Sequence, residues 1–212
     1  MYGKGDEMSW NFDAIGFLYP PDVYMGTFDN PKMQARHEEM KQIKLDALRK
    51  AVEAEPDPLN AMMKLHKRDH IQFLLGNSNA FREAGRFEAA VLRLYSLTNS
   101  PFLSGGDPAV WDQLFDSCDR ENLYALGSPF PFESARVYRI AVTAIQKGLS
   151  WTLSRKKVQA FEDRWEEQGI GRGKIYVTET ARKNVLVYLK DRKEEEVILD
   201  PQFVRTASIL EL

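Results

Sequence analysis

Residues 174–199 read KIYVTETARKNVLVYLKDRKEEEVIL, and this stretch decides the fold class. From Lys174 onward the apolar pattern follows a period of two rather than 3.6, which is typical of β-strands. We predict three strands, KIYVTE, VLVYLK and EVIL, separated by polar turns at residues 182–184 and 191–195. Three strands with one apolar face are only marginally stable alone, so this meander is expected to pack on the helices or on a partner.

The chain before residue 169 carries helical patterns, of which the clearest covers residues 31–55. Asp29 or Asn30 can act as N-cap, Pro31 suits the first helical turn, and Pro56 ends the helix. Its apolar residues form one broad stripe that we expect to be buried: Met33, Met40, Ile43, Leu45, Leu48 and Val52. Further helices are predicted over residues 59–75, 81–97, 107–118, 132–147 and 154–168.

The segment AFREAGRFEAAVLRLYSL, residues 80–97, resembles the turn and second helix of a single tetratricopeptide repeat. The resemblance rests on these positions: Phe81, Gly85, Phe87, Ala90 and Leu94. A glycine permits the turn, and a small residue lets the two helices approach closely. No second copy lies 34 residues away in either direction, so a solenoid is excluded and the resemblance implies one helical hairpin.

These patterns predict an α+β fold that is mainly α. We expect a body of about six helices with one tetratricopeptide-like hairpin, followed by a small C-terminal antiparallel β-meander. The predicted parts are an extended arm over residues 1–30, a helical domain over residues 31–168 and the β-appendage over residues 169–212. The arm has no helical period, and we predict one short strand in it near residues 14–19.

Composition places the chain among globular proteins. Of its 212 residues 43% are apolar, which is enough for a core, and the formal net charge is −2. One cysteine excludes an internal disulfide framework and favours the cytoplasm or another reducing compartment. No apolar run approaches the ~18 residues of a membrane span, so we expect no membrane contact, and the first ten residues lack the pattern of a secretory signal.

Residues 1–30 are unusually rich in aromatic side chains for an irregular segment, which indicates that they pack on something. They pack either on their own domain or on a neighbouring subunit or other partner. In the second case, the candidate partner-binding residues are Trp10, Phe12, Phe17, Tyr19 and Tyr24.

Charge is distributed unevenly along the chain. Residues 134–161 contain six basic residues and no acidic one, whereas residues 1–30 and 107–121 are each net −4. Separated acidic and basic surfaces suit complementary contact with a protein partner or with copies of the same chain. The alternative is that these are ordinary solvated faces.

No motif in the sequence identifies an active site. His66 and His70 are four apart on a predicted helix, but Lys67 stands where a zinc-protease motif needs glutamate. Cys118 lies among acidic residues, which disfavour a reactive thiolate. We therefore expect no metal and no cofactor, and we regard an enzyme as the less favoured class, with an active site built from scattered residues still open.

The leading hypothesis is a non-enzymatic protein-interaction or structural subunit of a larger assembly, with a protein partner or homo-oligomerisation. The alternative is a nucleic-acid-binding module, because the helix over residues 154–168, a glycine turn and a β-hairpin resemble the order of a winged helix-turn-helix. In that reading the basic surface consists of Arg155, Lys156 and Lys157 on the helix and Arg182 and Lys183 at the wing tip. Four acids on the same helix disfavour it: Glu162, Asp163, Glu166 and Glu167.

Overall fold

The computed structural model describes most of the chain. The described residues are 10–13, 15–17, 19–20, 22–97, 108–141, 147–167, 169, 171–191 and 195–212. By internal contacts the chain divides into two units, Met1–Ser104 and Gly105–Leu212. Each unit is described by itself below.

Unit 1 is helical throughout its described secondary structure. Its helices are α1 (Pro31–Glu53), α2 (Pro58–Lys64), α3 (His70–Gly76), α4 (Ser78–Glu83) and α5 (Phe87–Leu97). The long helix α1 confirms the prediction for residues 31–55. The side chain of Asn30 accepts hydrogen bonds from the backbone N–H groups of Lys32 and Met33, which satisfies two donors that the helix leaves unbonded.

The single helix predicted over residues 59–75 is wrong, because the chain breaks between α2 and α3. Leu65 has extended backbone angles, with ψ at 161°, and residues 66–69 form a turn. The imidazole Nε2 of His70 lies 2.9 Å from the backbone oxygen of Leu65. The side chain therefore bonds a carbonyl that has no helical partner where α2 ends.

The predicted helical hairpin is confirmed in α4 and α5. Gly85 joins the two helices with φ at +62°, a left-handed conformation that glycine adopts without strain. Phe81 and Ala90 are fully buried. The second helix therefore approaches the first through a small side chain, as the sequence indicates.

Unit 2 combines helices with an antiparallel sheet. Its helices are α6 (Pro108–Asp116), α7 (Arg120–Ala125), α8 (Arg155–Glu167) and α9 (Pro201–Thr206). Its strands are β1 (Ser134–Ala141), β2 (Ser150–Thr152), β3 (Lys174–Ala181), β4 (Val185–Leu189), β5 (Glu196–Leu199) and β6 (Leu210–Glu211). The six strands are ordered β4-β5-β2-β1-β3-β6. The α+β, mainly α, class and the three predicted strands, here β3, β4 and β5, are confirmed.

The sheet differs from the predicted meander in size and topology. The helix predicted over residues 132–147 is wrong, because β1 occupies Ser134–Ala141 and pairs with β3 along its full length. Together with β2, it supplies the sheet with strands from before the predicted boundary at residue 169. Furthermore, β3 and β4 do not pair with each other, since β3 lies between β1 and β6 and β4 pairs with β5.

The short connection between β3 and β4 requires a curved sheet. The two strands stand four positions apart, which in a flat sheet is about 19 Å. They are joined by a 3₁₀ turn, Arg182–Asn184, and four Cα steps span at most about 14 Å. The sheet therefore bends until the end of β3 approaches the start of β4.

Candidate interaction sites

Two of the five aromatic residues predicted to bind a partner lie in the core of unit 1. Trp10 and Phe12 are both buried. The indole N–H of Trp10 donates to the backbone oxygen of Val52 at 3.0 Å, and its ring lies 5.4 Å from the ring of Phe73. The side-chain amide of Asn77 binds the backbone of the same part of the arm, since it accepts from the Asn11 N–H at 2.7 Å and donates to the Asn11 carbonyl oxygen at 2.9 Å. These two aromatic side chains are thus occupied within their own unit.

The other three aromatics of the predicted set lie nearer the surface. Phe17 is half-buried beneath the guanidinium of Arg49, and Tyr19 stacks on the imidazole of His66 at 4.6 Å. Tyr24 is 63% exposed. Of the five residues predicted to bind a partner, only Tyr24 presents most of its side chain to solvent. None of the described residues between 10 and 30 lies in a strand, in contrast to the prediction near residues 14–19.

One face of α1 is covered by the arm. The backbone N–H of Phe28 donates to Gln34 Oε1 at 2.7 Å, and the Phe28 ring lies 5.2 Å from the imidazole of His37. Further along, Leu48 is half-buried and Val52 is fully buried. The arm therefore occupies the side of the helix that carries these residues.

A second face of α1 is exposed although it is apolar. Met33, Met40 and Ile43 are 52%, 46% and 53% exposed. At 100° per residue they fall on one line with four other exposed residues, Arg36, Ala47, Ala51 and Ala54. We name these seven residues the outer stripe. The prediction of one buried apolar stripe is wrong for Met33, Met40 and Ile43, because the helix carries two apolar faces and the arm covers only one. On the covered face Val52 is buried, whereas Leu45 and Leu48 are half-buried.

The predicted basic surface is divided between two places in unit 2. Arg155 and Lys156 are exposed in the first turn of α8, while Lys157 pairs with Glu195 at 3.3 Å. Arg182 and Lys183 lie in the 3₁₀ turn after β3, where Arg182 pairs with Glu133 at 3.2 Å. Because β3 and β4 form no hairpin, the wing of a winged helix is absent from this described part of the chain.

The remaining bases of residues 134–161 have different environments. Arg139 donates to the backbone oxygen of Ser150 at 2.7 Å, and Lys147 donates to that of Arg205 at 2.5 Å. Arg136 is exposed on β1, and its side chain makes no hydrogen bond or ion pair with any described residue. The cationic side chains that remain available are consequently Arg136, Arg155 and Lys156.

The acidic segment 107–121 is partly neutralised within unit 2. Arg205 of α9 lies 2.7 Å from Asp116 and 3.6 Å from Asp112, both on α6. Arg120 pairs with Asp200, the N-cap of α9, at 2.5 Å. Both sets of ion pairs connect α9 to preceding helices, but only Arg205 offsets acids of this segment, because Arg120 is the segment's own base and pairs with Asp200 outside it.

A pocket of about 460 Å³ lies beside the start of β1. Its lining includes Phe132 from the loop before β1, Arg136 of β1, Leu153 after β2, Tyr188 of β4 and Glu195 before β5. Burial, together with the carboxylates of Glu195 and Asp191, raises the pKa of Tyr188, so its phenol stays neutral and able to donate. The lining comes from four separate segments, which explains why no local motif in the sequence points to it.

Glu195 in this pocket has an unusual backbone. Its φ is +49°, in the left-handed region that side chains with a Cβ adopt at a cost of about 1 kcal/mol. Such strain is concentrated at functional sites in proteins. The side chain is held in place by the ion pair with Lys157.

The histidine pair and the cysteine do not form a chemical site in the described residues. His66 lies in the turn before α3 and His70 is buried at the start of α3, where burial lowers its pKa. The Cys118 thiol donates to the backbone oxygen of Leu114 at 3.3 Å. Within the described ranges, no three histidine, cysteine, aspartate or glutamate side chains are grouped to hold a metal ion.

Comparison with known proteins adds no relative to this picture. No family model matches the chain, and neither a curated protein nor a solved structure matches it significantly. Among the helices described in the structure, none combines the length and apolar character needed to cross a membrane.

Proposed function

We propose that this protein is a non-enzymatic protein-interaction subunit that self-associates through the outer stripe of α1. The observation that carries the proposal is the exposure of Met33, Met40 and Ile43 on a helix whose other apolar face is already occupied. Exposed apolar side chains that form a continuous line indicate an interaction surface, whereas scattered ones do not.

The outer stripe is complementary to itself in the antiparallel direction. Its N-terminal half carries the large residues Met33 and Met40, and its C-terminal half carries the small residues Ala47 and Ala54. An antiparallel pair centred near Ile43 places each methionine opposite an alanine of the second copy. Large side chains opposite small ones allow two helices to pack closely, and a twofold pair uses the same patch on both copies.

The magnitude of this burial indicates a weak dimer. Completing the burial of a half-exposed Met or Ile contributes about 1 kcal/mol, and six such side chains are buried per dimer. The loss of translational and rotational freedom on association is of similar size, about 4–15 kcal/mol. Because the gain and the cost nearly cancel, we expect a weak dimer that forms only as the protein concentration is raised.

Analytical ultracentrifugation of the full chain across a concentration series tests the proposal. We expect the mean mass to rise above the 24.4 kDa of one chain as concentration increases. Ile43→Glu should abolish the rise, because two carboxylates then meet near the twofold axis. Ala35→Glu is the matched control: it adds the same charge at an exposed position of α1 outside the stripe, and it should leave association unchanged.

A nucleic-acid-binding role is the second candidate, and it is supported by Arg155 and Lys156. Both are exposed in the first turn of α8, and their side chains make no ion pair or hydrogen bond with a described residue. Cations at that end of a helix can contact phosphates together with backbone N–H groups. Duplex binding through these residues would weaken steeply with salt, with a slope of about −0.9 per phosphate contacted, and replacing both by glutamate would remove it.

A further inference from the structure

We infer that the pocket beside β1 binds an acidic peptide segment of a partner protein, with a large apolar side chain in the pocket and a flanking carboxylate on Arg136. The inference does not depend on the outer stripe, since every residue that carries it lies in unit 2. It rests on the pocket's shape, its apolar wall and its uncompensated charge.

The first step is the charge of the pocket. Glu195 is the acid in its lining, and the ion pair with Lys157 neutralises it. The Arg136 guanidinium forms no ion pair with a described residue, and the carboxylate opposite it across the ladder, Glu179, is outside the pocket lining. One positive charge therefore remains at the pocket, and a planar guanidinium is the group best suited to bind a carboxylate through two hydrogen bonds.

Two further cations extend this field beyond the lining. Arg155 and Lys156 follow Leu153 closely in sequence and stand in the first turn of α8, next to the Lys157 that pairs with Glu195. Both are exposed. Several carboxylates on one ligand would be attracted here, whereas a cationic ligand would be repelled.

The apolar wall supplies the second recognition element. Phe132 is 48% exposed, and its ring packs edge-on against Phe130 at 6.0 Å. Leu153 is half-buried on the lining, and Tyr188, itself edge-on to Phe130 at 5.8 Å, is buried. A ligand side chain that covers the exposed part of Phe132 removes apolar surface from water, which favours a phenylalanine- or leucine-like group.

The open shape selects a peptide over a small molecule. Sites for small molecules bury most of the ligand, whereas Phe132 and Arg136 on this lining are both exposed. The volume of about 460 Å³ accommodates one large side chain and leaves the attached chain at the surface. Affinity then requires additional contacts of that chain with the neighbouring cations, which a peptide with acidic neighbours provides.

Fluorescence anisotropy with the full chain tests the inference. The probe is a fluorescein-labelled, C-amidated pentapeptide in which one phenylalanine stands between two pairs of acidic residues. Two matched peptides replace the phenylalanine by alanine or the acids by their amides. We expect saturable binding of the first peptide at low salt, and much weaker binding of the other two.

Three variants locate the site. Arg136→Gln should weaken binding about tenfold, as expected for loss of a hydrogen bond to a charged group. Phe132 is also exposed, and Phe132→Ala should reduce the affinity of the phenylalanine peptide to that of the alanine peptide. Arg172→Gln is the matched control, because Arg172 is exposed in unit 2 outside the pocket lining, and it should change nothing.

Several outcomes would overturn the inference. One is the absence of saturable binding, and another is unchanged affinity in Arg136→Gln. If 3-phenylpropionate binds as tightly as the peptide, the site takes a free small carboxylate instead. If a single-stranded oligonucleotide displaces the labelled peptide at a lower concentration than the unlabelled peptide does, the cationic side chains bind phosphates instead.

Discussion

Trp10 shows how one side chain fixes an irregular segment on a helical unit. Its ring buries apolar surface against Phe73, and its indole N–H donates to the Val52 carbonyl near the C-terminus of α1, where that carbonyl also accepts from the Glu55 N–H. Richness in aromatics predicts that the arm packs on something. Which partner it finds depends on positions distant in sequence, such as Asn77, and no local pattern reveals them.

The burial of Trp10 predicts a large effect on stability. Trp10→Ala should lower the free energy of unfolding by about 3–5 kcal/mol, because it leaves a cavity and removes the buried indole hydrogen bond to the Val52 carbonyl. Tyr24→Ala, at the exposed end of the arm, should change it by less than about 0.5 kcal/mol. Urea unfolding followed by circular dichroism compares the two variants. Equal, small effects would mean that the arm is not part of the core.

The buried imidazole of His70 predicts a dependence of stability on pH. Burial lowers the pKa of His70 in the folded chain, so the unfolded state binds more protons when pH falls through about 6.5. The contribution to stability is therefore present above that pH and is lost below it. Burial raises the pKa of Asp69, which acts in the opposite sense but in the lower pH range where carboxylates titrate.

The measurement is urea unfolding of the full chain between about pH 7 and about pH 5.5, where histidine titrates and the carboxylates do not. The free energy of unfolding should fall with decreasing pH in the natural sequence. His70→Gln should show a smaller fall, whatever its absolute stability. An identical slope in both proteins would show that His70 is not the responsible group.

At the scale of elements, prediction succeeds where local chemistry acts alone. Helix α1 has its cap and flanking prolines, and the hairpin of α4 and α5 has its glycine turn. Prediction from the sequence fails for β1, because the small and β-branched residues around Val137 fit either a helical or an alternating pattern. The pairing of β1 with β3, some 40 residues later, decides between them, and such pairing has no local signature.

Gly85 gives a prediction for the hairpin. Gly85→Ala should destabilise the protein by about 1–2 kcal/mol through the left-handed backbone alone, because no atom lies within 4 Å of the added Cβ. Gly85→Asn should cost less, since asparagine tolerates this conformation better. Thermal unfolding of both variants checks the order. If alanine costs no more than asparagine, backbone strain is not the cause.

At the scale of the whole molecule, the helical and strand periodicities predict the α+β class and composition predicts a globular chain, but neither predicts the sites. Part of the acidic excess seen in the sequence is neutralised by ion pairs within unit 2, such as that between Arg205 and Asp116. The pocket joins residues from four segments, and the outer stripe is distinguished from the covered face of α1 only by where the arm lies. Both sites depend on tertiary structure, so the spacing of residues along the sequence does not predict them.

The near-neutral chain also predicts weak attraction to nucleic acid. With 29 basic and 31 acidic residues, the protein lacks the positive excess that duplex binding uses. Reversing Arg155 and Lys156 to glutamate should leave affinity for duplex DNA unchanged and close to zero in a filter-binding assay at moderate salt. Tight binding by the natural sequence that falls steeply with salt would favour the second candidate function.

The central claim is self-association through the outer stripe, and sedimentation equilibrium of the natural sequence beside Ile43→Glu and Ala35→Glu tests it most directly. The account predicts a monomer–dimer equilibrium in the natural sequence and in Ala35→Glu, and a monomer at every concentration in Ile43→Glu. A natural sequence that stays monomeric at the highest concentration, or an Ile43→Glu variant that dimerises equally well, would contradict it.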